Sequence, residues 1–528
     1  MYRKQRCRPY FILALQGLEY WDILASILSV FVSGVPRVPR QYTWAVRDNP
    51  SLERELMSEF LTSILTPLNN FVWGPVMLVM LVGTGLYLNI GLKFYPFRNW
   101  KNAYKCLWQG RKHQSSEGEI SPWNALMTAI AADIGTGNIV GVATAIAIGG
   151  PGALFWMWMT ALVGMMTKFC EVMLSVKYRE QTPAGNWVGG AMYFIKNGLG
   201  PRWRWLATAF AIFGITAALM GVGGMVQANA IAVNVNSTFG VSKWIVAAVL
   251  LATCLMVLVG GVKRVGIVSG KLVPFMAVFY VCLCLTIIFM HIEKLPSIFW
   301  WVVTDAFTPT AAQGGFAGAT IMMAIRMGVA RGVFSNEAGL GTAPMAHAAS
   351  TAESPLVQAS IGMLDVFIDT LIVCSMTGFV ILISTVTPES AAIIGNAKVQ
   401  AGDPLWSSGV NGGLLSAMAF SSNLGTFGEV GVTISLTLFA FTTSLGWSVY
   451  GERCAIYLFG DKAQTPFRIL FSVVMASGAV ITLDLVWLIA DTANALMAFP
   501  NLIGILLLSP MLFKYVREEV AKDNRFKI

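Results

Sequence analysis

The chain has 528 residues, of which 56% are hydrophobic and 12% charged, with a mean hydropathy of +0.65 and a formal net charge of +9. Such a composition excludes an array of soluble domains and defines a polytopic membrane protein. The positive charge is no nucleic-acid footprint, because the basic residues are dispersed over several loops instead of gathered on one face, and the eight cysteines have the spacing of neither a disulfide framework nor a zinc site.

Residues 1–56 form an atypical extension that carries Arg3, Lys4, Arg6, Arg8, Arg37, Arg40, Arg47 and Arg54. Its apolar stretch at 11–34 is burdened by Glu19 and Asp22, so it is either a further span or interfacial helix, or lies upstream of a working protein that begins near Met57. The late start is the preferred expectation. No small-residue cleavage motif follows the apolar stretch, which argues against a signal peptide.

From residue 69 onward, apolar runs long enough to cross a hydrocarbon core of about 30 Å recur. They fall at 69–92, 121–149, 152–177, 204–236, 243–262, 269–292, 316–346, 357–385, 427–452, 466–484 and 485–513, eleven expected spans. Residues 57–120 hold the first span and an amphipathic linker, 121–515 the membrane core, and 516–528 a basic tail. With eleven spans, alternate loops and the C-terminus carry 22 Lys and Arg residues, among them Lys93, Arg179, Lys263, Arg453 and Lys514, whereas the opposite loops carry three, Lys243, Lys294 and Lys398. The positive-inside rule places the first set, and with it the C-terminus, in the cytoplasm. A bacterial inner membrane is the expected location.

Two of the spans are interrupted. Ala131–Asn138 (AADIGTGN) and Ser335–Thr342 (SNEAGLGT) put glycines and oxygen-bearing side chains where a span should be plainly apolar. An unpaired backbone amide or carbonyl costs several kcal/mol in hydrocarbon, so broken helices persist only inside protein or around a polar cavity. The breaks lie five spans apart and hence in helices of opposite direction. This is the pattern of inverted-repeat transporters with a midplane site.

At a break, one half-helix ends in free carbonyls and the next begins with free amides. The amides of Gly135, Thr136 and Gly137 could receive a carboxylate, and the carbonyls of Asp133 and Ile134 with the Asn138 side chain could ligate a hard cation. The competing reading is helix packing through the small residues Gly137 and Gly141. Glu337 in the second break could take amides freed by unwinding, contact a substrate ammonium or pair with Arg331. Lys168, Glu171, Arg326, Asp365 and Asp369 are further intramembrane charges for which bracing or gating is expected, with Arg331 as an outer gate and Asp369 either near the site or a buried hydrogen-bonded carboxylate.

In these breaks the chain resembles the alanine/glycine:cation symporter family, the sodium:alanine symporters. The matching strings are Gly135–Ala143 (GTGNIVGVA), Gly149–Trp158 (GGPGALFWMW), Arg331–Gly341 (RGVFSNEAGLG), Thr443–Glu452 (TSLGWSVYGE) and Ala495–Asn501 (ALMAFPN). The resemblance covers about residues 65–515 in order. It implies an all-α, LeuT-type 5+5 inverted repeat preceded by one extra helix, and a Na+-coupled importer of small neutral amino acids, chiefly alanine and glycine, working by alternating access without a cofactor. By the same resemblance, the substrate carboxylate meets Thr136 and Gly137, and Trp447 walls the pocket; Phe334 is expected near the substrate, and Gln227 is either interhelical glue or a polar group beside it. Sodium meets Asp133, Ile134, Thr442, Thr443 and Ser444, and Glu171 braces the second break. An acidic residue at Asp133 departs from the family pattern, which keeps H+ open as a coupling ion. An intramembrane enzyme is the rival from another class, but no His-Glu-x-x-His or Gly-x-Ser-x-Gly string supports it. A channel or sensor on the same scaffold is the other.

Overall fold

Glycine and proline set most helix boundaries in the computed structural model, which describes residues 50–111, 117–308, 317–396, 399–481 and 484–528. Most of the extension therefore lies outside the described residues. The chain divides into two units, residues 1–68 and 69–528. In chain order the helices are α1 (Pro50–Val72), α2 (Pro75–Gly91) and the amphipathic α3 (Tyr95–Gln109), followed by α4 (Pro122–Asp133), α5 (Val142–Gly149) and α6 (Gly152–Lys177). A two-residue hairpin, Glu180–Gln181 with Trp187–Val188, precedes α7 (Arg204–Leu219), α8 (Met225–Phe239), α9 (Lys243–Leu258), α10 (Gly261–Met290) and α11 (Leu295–Asp305). The longer helices of the remainder are α12 (Ala317–Asn336), α13 (Pro355–Val366), α14 (Ser375–Ile383), α15 (Gly412–Phe459), α16 (Gln464–Gly478) and α17 (Asp484–Lys522).

Local chemistry explains the starts of the central helices. Ser121 and Ser354 accept the backbone N–H of Asn124 and Val357, with Pro122 and Pro355 at the first helical position. α6 packs along α2, α12 and α13, and 83% of its apolar window is buried, the highest share among the long apolar helices. Charged residues on α6 consequently face protein. α15 packs along α4, α7, α8 and α10, and kinks at Gly425, whose φ of 57° and ψ of −145° suit glycine alone.

By length and apolarity, six of the described helices are able to cross a membrane, or seven with the pair Pro122–Asp133 and Gly137–Gly149, bent by 48°, counted as one span. The expected eleven is not reached on that criterion. The expected span 204–236 is two helices, α7 and α8, parted by a turn at Met220–Gly224 that contains three glycines. α9 has 16 residues, about 24 Å of helix against the roughly 30 Å a span needs.

The C-terminal tail is docked, not free. Helix α17 continues to Lys522, beyond the expected boundary at 515, and the last residues lie across α3. Asn99 mimics a backbone partner, donating from Nδ2 to the Lys527 carbonyl (2.6 Å) and accepting the Lys527 N–H (2.8 Å). Asn102 donates to the Arg525 carbonyl, and Phe526, 3% exposed, stacks on Tyr95 with ring centroids 6.2 Å apart. Arg525 reaches Glu353 at 2.9 Å, and its hydrogen bonds hold the Asp523 carboxyl below the usual range.

Candidate functional site

The first break leaves Ile134 and Gly135 outside the helix before the chain resumes at Thr136 and continues as a π-helical turn, Gly137–Gly141. Such turns recur at functional sites. The Gly135 amide donates to Asn138 Oδ1 at 2.8 Å, and the Thr136 amide to Gln227 Oε1 at 3.4 Å. Gln227 is itself held by its Nε2, which donates to the Val222 carbonyl at 2.7 Å in the α7–α8 turn. Thr443 Oγ1 lies 3.1 Å from the Ile134 carbonyl and 3.0 Å from its own helix carbonyl of Phe439. Of the three expected hydroxyls on α15, this one reaches the break. Thr442 bonds the carbonyls of Leu438 and Phe439 and the sulfur of Met276, and Ser444 bonds Ala440, the back-bonding usual in a helix.

Phe334 and Ser335 of α12 cross the first break at close range, for a Cβ on Gly137 would lie 3.1 Å from Ser335 Cα and 3.3 Å from the Phe334 ring. Trp447 is fully buried, packs edge-on against Tyr450 at 5.7 Å, and sits so close to Gly223 that a Cβ there would be 2.2 Å away. The glycine turn between α7 and α8, missed in the expected single span, thus makes room for the tryptophan. Thr136 Oγ1, Trp447 Nε1 and Tyr450 OH are buried without a hydrogen-bond partner. Polar atoms left so in a protein interior mark where a ligand or ion can bind.

The second break is held from two sides. Glu337 stands at φ 55°, a conformation rare outside glycine, and Gly339 and Gly341 follow at φ 95° and 78°. Thr342 Oγ1 donates to Glu337 Oε2 at 2.5 Å, and Asn336 Oδ1 accepts the Ala338 N–H at 3.0 Å. Glu171 Oε1 accepts the Gly339 N–H at 3.1 Å and Asn501 Nδ2 at 2.5 Å, while the same Nδ2 reaches the Gly339 carbonyl at 2.9 Å. Removing the carboxylate strands the Gly339 amide and leaves Asn501 Nδ2 with the Gly339 carbonyl alone, at about 1–3 kcal/mol for each hydrogen bond lost. Glu171→Ala is therefore expected to lower stability by about 3 kcal/mol, read as an earlier thermal unfolding of the detergent-purified protein, with Glu171→Gln milder because its carbonyl still accepts one of them.

Asp369 joins the two breaks. It sits in a π-helical segment, Phe367–Cys374, between α13 and α14, and is fully buried. Its Oδ1 accepts Asn138 Nδ2 at 2.6 Å, and its Oδ2 accepts the hydroxyls of Ser335 and Thr370, each at 2.8 Å. Asn336 Nδ2 in turn donates to Thr370 Oγ1 at 2.9 Å. The Asn138 side chain, expected to face a cation, is thus spanned between the Gly135 amide and Asp369.

A buried charge cluster lies beside this junction. Lys168 Nζ is 3.0 Å from Asp133 Oδ2 and 3.2 Å from Asp365 Oδ2, all three side chains being fully buried, and Glu337 and Glu171 act electrostatically on the same ammonium. Sequence reasoning named these residues singly and did not pair them. Spacing groups them only within a helix, Lys168 with Glu171 three apart on α6 and Asp365 with Asp369 four apart, and says nothing of the pairing between helices.

Arg331 pairs with Asp491 at 3.2 Å, and not with Glu337. Its guanidinium lies 5.3 Å from the Phe334 ring, which stacks on Trp487 at 6.3 Å. Arg331, Asp491 and Phe334 line a cavity of about 140 Å³ together with Trp73 and Arg326. Ahead of the first broken helix Arg453 meets Glu119 at 3.4 Å, and the Thr351 N–H pairs with the Ile120 carbonyl.

Two unwound helices packed against each other in an apolar helical protein, with buried oxygens and unpartnered polar atoms between them, define a solute transporter. The chain belongs to the sodium:alanine symporter family, whose model matches residues 58–526. It is 44% identical over 469 residues to the sodium/alanine symporter AgcS of Methanococcus maripaludis, covering 87% of this chain and 99% of that one. It is 43% identical over 461 residues to an uncharacterized transporter of Haemophilus influenzae (87% and 96% covered) and 36% identical over 465 residues to the putative sodium/proton-dependent alanine carrier YrbD of Bacillus subtilis (86% and 90% covered). Among solved structures, MhsT in complex with L-phenylalanine aligns over 76% of this chain and 99% of that one, at 13% identity and a TM-score of 0.47. The family and these relatives are transporters, so the enzyme reading is set aside.

Proposed function

We propose that the chain imports small neutral amino acids, alanine and glycine, with Na+ by alternating access, on a LeuT-type inverted repeat whose basic face lies in the cytoplasm of a bacterial inner membrane. The observation that carries this reading is the meeting of Thr443 Oγ1 and the Ile134 carbonyl, 3.1 Å apart at the unwound end of α4. Two neutral oxygens at that separation suit a hard cation, and the helix C-terminus contributes partial negative charge. Sodium then binds at Ile134 and Thr443 beside the Asp133 carbonyl, while Thr442 and Ser444, bonded within their own helix, leave the shell. The Asn138–Ser335–Asp369 junction supplies a second group of oxygens at the midplane.

Because the Gly135 amide is engaged by Asn138, the substrate carboxylate falls to Thr136 Oγ1 and the Gly137 amide. Gln227, Phe334 and Trp447 bound the space available to the side chain. Arg331, Asp491 and Phe334 form the outer gate, and Glu119 with Arg453 the inner one. A membrane potential of 100 mV adds about 2.3 kcal/mol per charge carried inward, equivalent to roughly fiftyfold accumulation.

The test is labelled alanine uptake into proteoliposomes with and without an inward Na+ gradient. Accumulation that collapses without the gradient supports symport; flux that is only downhill defeats it in favour of a channel. Proton coupling has one specific support, the name sodium/proton-dependent carrier given to the relative YrbD. Uptake driven by a pH gradient alone would establish it. Replacing Trp447 by Leu removes ring volume from a fully buried wall. Valine and leucine are then expected to compete with alanine about tenfold better than in the unaltered chain, about 1.4 kcal/mol and within what one or two methylenes are worth in an apolar pocket.

A further inference from the structure

We propose that Lys168 is a tethered cation: its ammonium, seated between Asp133 of the first broken helix and Asp365 of α13, permanently holds the place a mobile cation would take and so limits how many Na+ ions accompany each substrate. The inference rests on the ion-coupled transport reading and deepens it.

The position is that of an ion. Asp133 is the last residue of α4, so the ammonium meets its carboxylate at 3.0 Å close to the partial negative charge of a helix C-terminus. Asp365 approaches at 3.2 Å from a helix that carries Asp369 one turn later. Carboxylates buried this deeply persist only beside a cation or a proton. The next peptide after Asp133 carries the Ile134 carbonyl, so the tethered charge and the expected sodium lie at the same helix end.

The surroundings bear on this role. Glu171, beside the cluster, gives Oε1 to the Gly339 amide and Asn501 and leaves its Oε2 without a donor. Here Asp133 Oδ1, Asp365 Oδ1 and Glu337 Oε1 have no donor, and Tyr450 OH, 1% exposed and within electrostatic reach of all three carboxylates, has no partner. The cluster offers more oxygens than one ammonium can serve. It resembles an ion cage whose occupant is covalently fixed, and what matters about the occupant is charge.

Two variants test this in proteoliposomes, with uptake by the unaltered chain measured alongside. Lys168→Met opens the cage: the Na+ concentration for half-maximal alanine uptake is expected to rise at least tenfold and the Hill coefficient for Na+ to increase by about one. Lys168→Met combined with Asp365→Asn removes an anion together with the cation, and is expected to return both values to within about twofold of the unaltered chain. A single variant with unchanged steepness overturns the proposal. If the single variant does not reach the membrane, the double variant decides: Na+-driven uptake upholds the proposal, and a double variant that is absent or inactive overturns it. Loss of Na+ dependence in the unaltered chain is a different result and defeats the transport reading itself.

Discussion

Gly135→Ala is expected to reduce Na+-driven alanine uptake at least 100-fold while the protein still reaches the membrane. The backbone at Gly135 is not in the left-handed region, so the cause is contact. A Cβ at this position would lie 2.3 Å from Thr443 Oγ1 and 3.2 Å from its Cβ. Thr443 has little room to yield, being β-branched, 1% exposed and tied to the carbonyls of Ile134 and Phe439. Inserting one methyl group into such packing costs about 1–3 kcal/mol, which a fold of this size survives, but it parts the two oxygens assigned to sodium. Thr443→Ala separates the two effects. On its own it removes an oxygen without adding bulk, and is expected to raise the half-maximal Na+ concentration about tenfold, equivalent to about 1.4 kcal/mol. Combined with Gly135→Ala it relieves the clash, so thermal stability should recover while Na+ affinity does not. Ordinary Na+ dependence in Gly135→Ala would remove Thr443 and Ile134 from the ion site.

The breaks were visible in sequence because the residues that end a membrane helix are chemically distinctive. Gly135 and Gly137, Gly339 and Gly341, and the oxygens between them stand out from apolar surroundings, and the structure unwinds at both places. Glu171 was legible for the same reason: a carboxylate on a span needs a partner, and freed amides supply one. What stayed hidden depends on distance along the chain. Lys168 and Asp133 are 35 residues apart, and no local pattern announces their pairing. Asp369 owes its reach to a π-helical segment, whose extra residue per turn leaves no mark in composition. The split of the fourth expected span failed differently. Its Gly221, Gly223 and Gly224 lie within one apolar run, and the need for a turn shows only once Trp447 is seen against Gly223.

Asp369→Ala is the second large effect, and it addresses what holds the two broken helices in register. The carboxylate accepts one donor from the first break, Asn138, one from the second, Ser335, and one from Thr370, which is itself held by Asn336 of α12. Alanine removes the acceptor of all three donors and leaves Asn138 and Ser335 only the weaker Cys374 sulfur and, for Asn138, the backbone carbonyl of residue 369, so at about 1–3 kcal/mol per lost bond before relaxation a net loss of about 3–5 kcal/mol is expected. A lowered unfolding temperature in detergent and uptake reduced at least 100-fold are the readouts. Asp369→Asn distinguishes a hydrogen-bond hub from an ion ligand. Its carbonyl can still accept Asn138 Nδ2, and the Ser335 and Thr370 hydroxyls can turn to accept from its amide, so stability should stay within about 1 kcal/mol of the unaltered chain. Only the negative charge is lost. If that charge faces a cation during transport, Asp369→Asn should fold normally yet need at least tenfold more Na+. If it merely ties the helices together, the asparagine variant should take up alanine with unchanged Na+ dependence, and the junction of the two breaks would be a hinge without an ion.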